Sequence, residues 1–261
     1  MPRMLILCLI LAITLVMAPL IAAAERGSKM VLIPAGEFIM GNQEESGRKD
    51  ERPSHSVTLD AYYMDQYEVT GKDFEAYMDD QPKVHPTITG WYGRKVRPDM
   101  THKPVFGLTW KRCQNYCAWA GKRLPTEAEW ERAAKGQEGR LYPWGNEPPD
   151  PSKANFGRCC FVMKGQVFKE VGELPAGKTP DNIYDLAGNV AEWVYDWYDK
   201  NYYEISPSKN PKGPKNGKYH VIRGGAWNSL SGYMRSSSRY GYNDAKDFYG
   251  IGCRCVKSAS D

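Results

Sequence analysis

The sequence has no marked excess of either charge sign: 35 lysines and arginines stand against 31 aspartates and glutamates, a formal net charge of +4. That balance excludes, as a default mode, binding to nucleic acid or a membrane surface through a strong electrostatic field. Histidine is scarce, and His55, His85, His102 and His220 lack the spacing of metal ligands, so a three-histidine iron site has no support. No glycine-rich phosphate loop and no nucleophile elbow occurs. Linkers, internal repeats and blocks of like charge are missing too. The 25 glycines and 18 prolines fall short of the roughly 25–30% share typical of low-complexity chains.

Aromatic side chains, by contrast, are plentiful, with 8 tryptophans and 17 tyrosines in 261 residues. A content of 41% hydrophobic and 25% charged residues is that of a folded globular protein. Set beside so much glycine and proline, the aromatics suggest a loop-rich fold held by large rings rather than by long helices.

The first residues read as a targeting segment. After the basic start Met1–Arg3, Leu5–Ala18 is apolar except for Thr14, and Pro19 and Ala22-Ala23-Ala24 follow. This is the pattern of a signal peptide over residues 1–24, leaving a domain over 25–261 that is exported, periplasmic or secreted. An uncleaved anchor is the alternative, since Met4–Ala24 has about the 20 apolar residues of a spanning helix. No other membrane segment is expected.

Export changes the reading of the six later cysteines, Cys113, Cys117, Cys159, Cys160, Cys253 and Cys255. An even number in an oxidising compartment favours disulfides over metal sites. Cys113 and Cys117 share a face if their segment is helical, and Cys253 and Cys255 share one if theirs is a strand. Two bridges side by side between that helix and the C-terminal strand are therefore expected. For Cys159–Cys160, a vicinal disulfide, bridges elsewhere and free thiols all stay open.

Met30–Met40 reads as strand, turn, strand, Ser56–Met64 as one strand, and Val69–Met78 as a helix. Pro82–Lys103 reads as a surface connection and Lys111–Gly121 as a second helix. Thr126 and Glu129 form a capping box that opens a third helix, Glu127–Lys135, ended by Gly136. Only short segments follow. The expectation is a single compact α+β domain with less regular structure than average.

Several ordered motifs carry a resemblance. They are MVLIPAGEFIMG from Met30, YEVT at Tyr67–Thr70, KRLPTEAEWERAAK at Lys122–Lys135, and YPWGN at Tyr142–Asn146. YDLAGNVAEW at Tyr184–Trp193, RGGAW at Arg223–Trp227 and Gly252-Cys253-Arg254 complete the series. Over roughly Met30 to Lys257 the chain resembles the formylglycine-generating-enzyme, or sulfatase-modifying-factor, domain. That resemblance implies a fold related to C-type lectins and stabilised by calcium. It also implies a Cys117–Cys255 disulfide; the companion Cys113–Cys253 pairing follows only from matching the two faces.

Calcium takes six to eight hard oxygens. Asp185 and Glu192 offer carboxylates, and the Gly188-Asn189 turn can aim the carbonyls of Gly188 and Val190 at the same point. The alternative is an ordinary Gly-Asn turn with Glu192 exposed; the resemblance favours calcium. A weaker second calcium site is implied at Asn155 and Phe156, although the loop Gly157–Val171 diverges there.

Formylglycine-generating members of the family hold copper(I) with two cysteines just after a Gly-Gly-Ser motif, and soft thiolates suit that ion. Here the motif is Gly224-Gly225-Ala226, Ser229 falls at the first cysteine position, and Ser231 or Met234 at the second. No cysteine lies between Cys160 and Cys253. Copper and the oxidase mechanism are therefore not expected, and no catalytic residue is assigned. Around this segment Trp227, Ser229, Arg235 and Arg239 are the candidate cleft residues. Either the two guanidinium groups grip a carboxylate, sulfate or peptide carbonyl, or they pair with internal acids such as Asp244 or Glu192.

Three functions compete. One is an exported, calcium-stabilised binding or accessory module for a peptide, glycan or protein partner. Another is a periplasmic enzyme with altered oxidative chemistry, as in the siderophore-maturation members of the superfamily. The third is a sulfatase-activating oxidase using some other thiol.

Overall fold

In a computed structural model of the protein, residues 28–42, 47–86, 89–158, 167–243 and 249–260 are described. The segment 1–24, Cys159, Cys160 and Asp244 lie outside the described residues. Strands β1 (Met30–Ile33) and β2 (Gly36–Met40) flank Pro34 and Ala35, as the sequence predicts. They do not pair with each other. β2 runs antiparallel to β3 (His55–Leu59), and β1 runs antiparallel to β4 (Tyr62–Asp65). The single strand expected over Ser56–Met64 is thus two, parted at Asp60 and Ala61. Val57 and Leu59 face the core, and so do Tyr62 and Met64, but the step from Leu59 to Tyr62 is odd. A continuous strand, with its period of two, would turn one of these pairs toward solvent.

Helix α1 (Gly71–Asp80) begins at Thr70, whose hydroxyl accepts the Asp73 N–H while Asp73 Oδ2 accepts the Thr70 N–H. The connection after it contains a small hairpin of β5 (Trp91–Tyr92) and β6 (Lys95–Val96). Two more helices follow, α2 (Trp110–Trp119) and α3 (Glu127–Lys135). At α3 the predicted capping box is present, with Glu129 N–H to Thr126 Oγ1 at 3.2 Å and Thr126 N–H to Glu129 Oε2 at 2.8 Å.

β7 (Ala191–Trp197) lies inside a four-stranded sheet. β8 (His220–Arg223) is antiparallel to it on one side, with β9 (Arg239–Tyr242) beyond. β10 (Ile251–Gly252) is parallel to it on the other side. β11 (Val256–Ser258) then pairs with β4 and completes a sheet ordered β1-β4-β11. Mixed α+β architecture is what the sequence led us to expect. Trp130 and Trp193 are fully buried in the two large apolar clusters. Each indole N–H has an acceptor, Glu192 Oε2 for Trp130 and the Leu108 carbonyl for Trp193, at 2.8 and 2.7 Å. Among the described residues, no helix is long and apolar enough to cross a membrane.

Cys117 and Cys255 form a disulfide with Cα atoms 5.6 Å apart, tying α2 to the link between β10 and β11. The companion bridge expected between Cys113 and Cys253 is not formed. Both are free, buried thiols, and they are hydrogen-bonded to each other. Matching the faces assumed a strand at Cys253–Cys255, but those residues are irregular backbone between β10 and β11. Burial first, and then the contact with Cys113, pushes the Cys253 thiol well above its ordinary pKa.

Candidate functional site: a neutral cleft over a charged frame

β8 ends at Arg223, and Gly224 and Gly225 turn the chain with φ of 82° and 69°. A Cβ on Gly225 would lie 2.6 Å from Met234 Cε, so both the backbone angle and the space call for glycine. The loop beyond that turn walls a cavity of about 170 Å³. Ala191 and Ile222 from the central sheet, Ser229, and the rings of Tyr233, Tyr240 and Tyr242 line it. Ser229 Oγ accepts the Ala226 N–H at 2.9 Å, which folds the loop back on itself.

Of the four cleft candidates, only Ser229 lines the cavity. Trp227 is buried, with its indole N–H directed to the Tyr249 carbonyl at 3.4 Å and its ring edge-on to Phe168. Arg235 donates to Glu51 Oε1 at 2.5 Å. Arg239 is fully buried and makes a two-pronged contact with Glu127, at 2.6 and 2.8 Å. Of the two readings of this arginine pair, internal pairing rather than ligand grip is the one the structure shows. Both pair internally, with Glu51 and Glu127 rather than with Glu192. Burial works against the Arg239 charge, but Glu127 outweighs it and holds the guanidinium above its ordinary value. Arg223 extends this frame, donating to Glu127 at 3.3 Å and to Glu131 at 2.6 Å.

The expected calcium residues sit on the other flank of β7. Asp185 and Asn189 both have φ of 59°, and the Asn189 N–H donates to the Asn155 carbonyl at 2.8 Å. The fold thus brings the two expected calcium sites together, since Asn155 also bridges to Gly188. Phe156 follows it and packs against the small cluster of Ala154, Ala187 and Met234. Asp185 Oδ2 accepts the Gly172 N–H at 2.7 Å, and burial pushes this carboxyl up to about 6. Glu192 is buried, not exposed as in an ordinary turn. Its oxygens accept from Arg254 and Trp130.

Glu68 completes the cluster, accepting from the Val190 N–H at 3.1 Å and from Asn189 Nδ2 at 2.7 Å. Burial, then repulsion by Asp185 and Glu192, raises it well above the usual carboxylate range. Among the described residues, no group of three His, Cys, Asp or Glu is arranged to hold a metal ion. Calcium, however, also draws on carbonyl and amide oxygens. Asn155 Oδ1 is a buried oxygen with no hydrogen-bond donor among the described residues. Such an oxygen is of the hard kind calcium takes.

Residues 18–259 match the sulfatase-modifying factor enzyme 1-like domain. The chain belongs to that family. It is 37% identical over 247 residues to the serine/threonine-protein kinase pkn1 of Chlamydia pneumoniae, covering 88% of this chain but only 38% of that protein. Against the formylglycine-generating enzyme of Mus musculus it is 33% identical over 281 residues, covering 88% of this chain and 75% of the relative. In three dimensions it is similar to PvdO from Pseudomonas aeruginosa, with a TM-score of 0.73 and 27% identity, over 88% of this chain and 94% of the other.

In this sulfatase-modifying-factor domain, sequence reasoning missed Glu51, Glu127 and Glu68 as partners. Glu68 stands in the YEVT motif and Glu127 opens α3, so both were visible as motif members without a role. A signal was also present on β9: a period of two puts Tyr240 and Tyr242 on one face and Arg239 on the other.

Proposed function

We propose that this chain is an exported binding or accessory domain of the sulfatase-modifying-factor family, holding a peptide, glycan or protein partner in the cleft beside Ser229. It does not act as a copper-dependent formylglycine-generating oxidase. The observation that carries this reading is Ser229 itself, a hydroxyl lining the cavity where copper(I) chemistry needs a thiolate pair. Among the described residues, no cysteine lines that cavity, and Cys113, Cys117, Cys253 and Cys255 are fully buried elsewhere.

Calcium is part of the same proposal, with Asp185, Gly188, Val190 and Glu192 as its residues and Asn155 and Phe156 beside them. The support is the unsatisfied Asn155 oxygen and the excess of buried carboxylate near Asp185. The bound ion would supply positive charge that offsets those carboxylates. Export rests on the apolar run before Ala24 and agrees with the Cys117–Cys255 disulfide.

The test is to incubate the protein with copper, oxygen and a Cys-x-Pro-x-Arg peptide and to look for aldehyde by mass spectrometry. No aldehyde is expected. Aldehyde that persists after Cys253 and Cys255 are replaced would overturn the reading, and another oxidised product would point to altered enzymatic chemistry instead.

A further inference from the structure

We propose that the cavity beside Ser229 receives the aromatic ring of a side chain presented by a peptide partner. The proposal rests on the binding reading above and adds what is bound.

Size comes first. An apolar cavity of about 150 Å³ is enough to bind benzene, and this one measures about 170 Å³. One six-membered ring fits. The walls come second. Tyr233, Tyr240 and Tyr242 supply three rings, with Ile222, Ile251 and Ala191 between them. Tyr233 and Tyr240 are already a tilted pair with centroids 4.9 Å apart, and the Arg48 guanidinium lies 4.2 Å from the Tyr240 centroid, which helps to hold that ring in place. Rings meeting edge-to-face or offset attract beyond the area they bury, which favours an aromatic guest over an aliphatic one of equal size.

Charge comes third and excludes the alternatives. Among the described residues, no Asp, Glu, Lys or Arg lines the cavity. The arginines close in sequence to lining residues, Arg223, Arg235 and Arg239, are held by Glu127, Glu131 and Glu51. A carboxylate, sulfate or guanidinium entering here would lose its water without gaining a counter-charge. A phenol would not, because Ser229 uses its oxygen to accept the Ala226 N–H and keeps its own proton to donate. Asn228 adds an exposed carboxamide to the lining. Beyond the cavity, Leu230 is 70% exposed and Tyr249 is 47% exposed, each next to a lining residue. That apolar rim extends past the space one ring fills and suits a peptide rather than a free small molecule.

The experiment uses the full mature protein and a random nonapeptide library, followed by titration of selected peptides. Selected sequences should carry Tyr or Phe at one fixed position, and changing that residue to Leu or Arg should weaken binding at least tenfold. Filling the cavity with Ala226→Leu should have the same effect. Tyr240→Ala is the second variant should the first not fold, with the melting curve as the check. Selection without an aromatic position, or equal binding by the Leu peptide, would overturn the ring while leaving the binding reading intact. N-acetyltyrosinamide binding as tightly as the whole peptide would overturn the peptide as its source. Aldehyde formation in the oxidase assay, by contrast, would strike the binding reading itself.

Discussion

On one side of β9, Arg239 is fully buried and paired with Glu127; on the other, Tyr240 and Tyr242 are half-buried against a cavity that no charged residue among those described lines. The same four-residue strand therefore serves two regions of opposite chemistry. On the inner side, Arg223, Arg239, Glu127 and Glu131 fix how α3 sits against the sheet, because a buried charge is tolerated only with its partner in place. On the outer side, no charged residue among those described lines the cavity, so a guest is selected by shape and ring contacts. Positive residues close to a cleft in sequence thus say little about what the cleft binds. Their partners decide.

The largest expected effect tests the inner region. Arg239→Ala leaves Glu127 buried without its closest cation and should lower stability by about 3–5 kcal/mol, read by denaturant unfolding. Tyr240→Ala should cost much less stability while impairing ring binding. Equal losses from the two variants would break the division between frame and cleft.

A second prediction asks whether every buried pair behaves like Arg239–Glu127. Asp65 lies 2.6 Å from Lys122, yet burial outweighs that contact and raises its pKa from 3.8 to about 6. Between these values the unfolded carboxyl is ionised and the folded one is protonated. Stability from this group therefore falls as pH rises from about 4 to about 6 and is level above that. Relative to Asp65→Asn, the unsubstituted protein should lose about 3 kcal/mol across the window, measured by unfolding at successive pH values. A flat difference would show that Lys122 controls Asp65 as Glu127 controls Arg239.

The acidic turn gives a third contrast, since its excess charge is negative. An ion binding only the folded state at a hundredfold excess over its Kd adds about 2.7 kcal/mol. Chelator should lower the Tm by several degrees, and Asp185→Asn should abolish the response. A melt indifferent to chelator would count against calcium there. The smallest effect is local: Thr126→Ala removes the α3 cap and should cost about 1 kcal/mol, with no change in ring binding.

Much of the local structure was legible in the sequence. The Thr126–Glu129 box located α3 to the residue, because a cap is made by neighbours three positions apart. The Ser56–Met64 segment was misjudged because its alternation slips phase at Asp60-Ala61, a break that two different pairing partners explain better than propensity does. The second cysteine pair was misjudged because facing thiols need not bond. The neutral cleft went unseen because Arg235 and Arg239 were weighed as a spaced pair and not as members of an alternating strand.

By itself, then, the sequence determined the three helices and the cap of the third, the ordered family motifs, and the hydroxyl at Ser229. All of these are properties of residue identity and short spacing. Only the tertiary structure decided where the charges go. Arg239 and Glu127 stand 112 positions apart and Arg235 and Glu51 stand 184 apart, and no period in the chain links such pairs. The first pair meets because α3 packs against the sheet at β8 and β9, which removes water from both partners. Once that water is gone, a buried charge can be satisfied only by the opposite charge the fold has placed beside it.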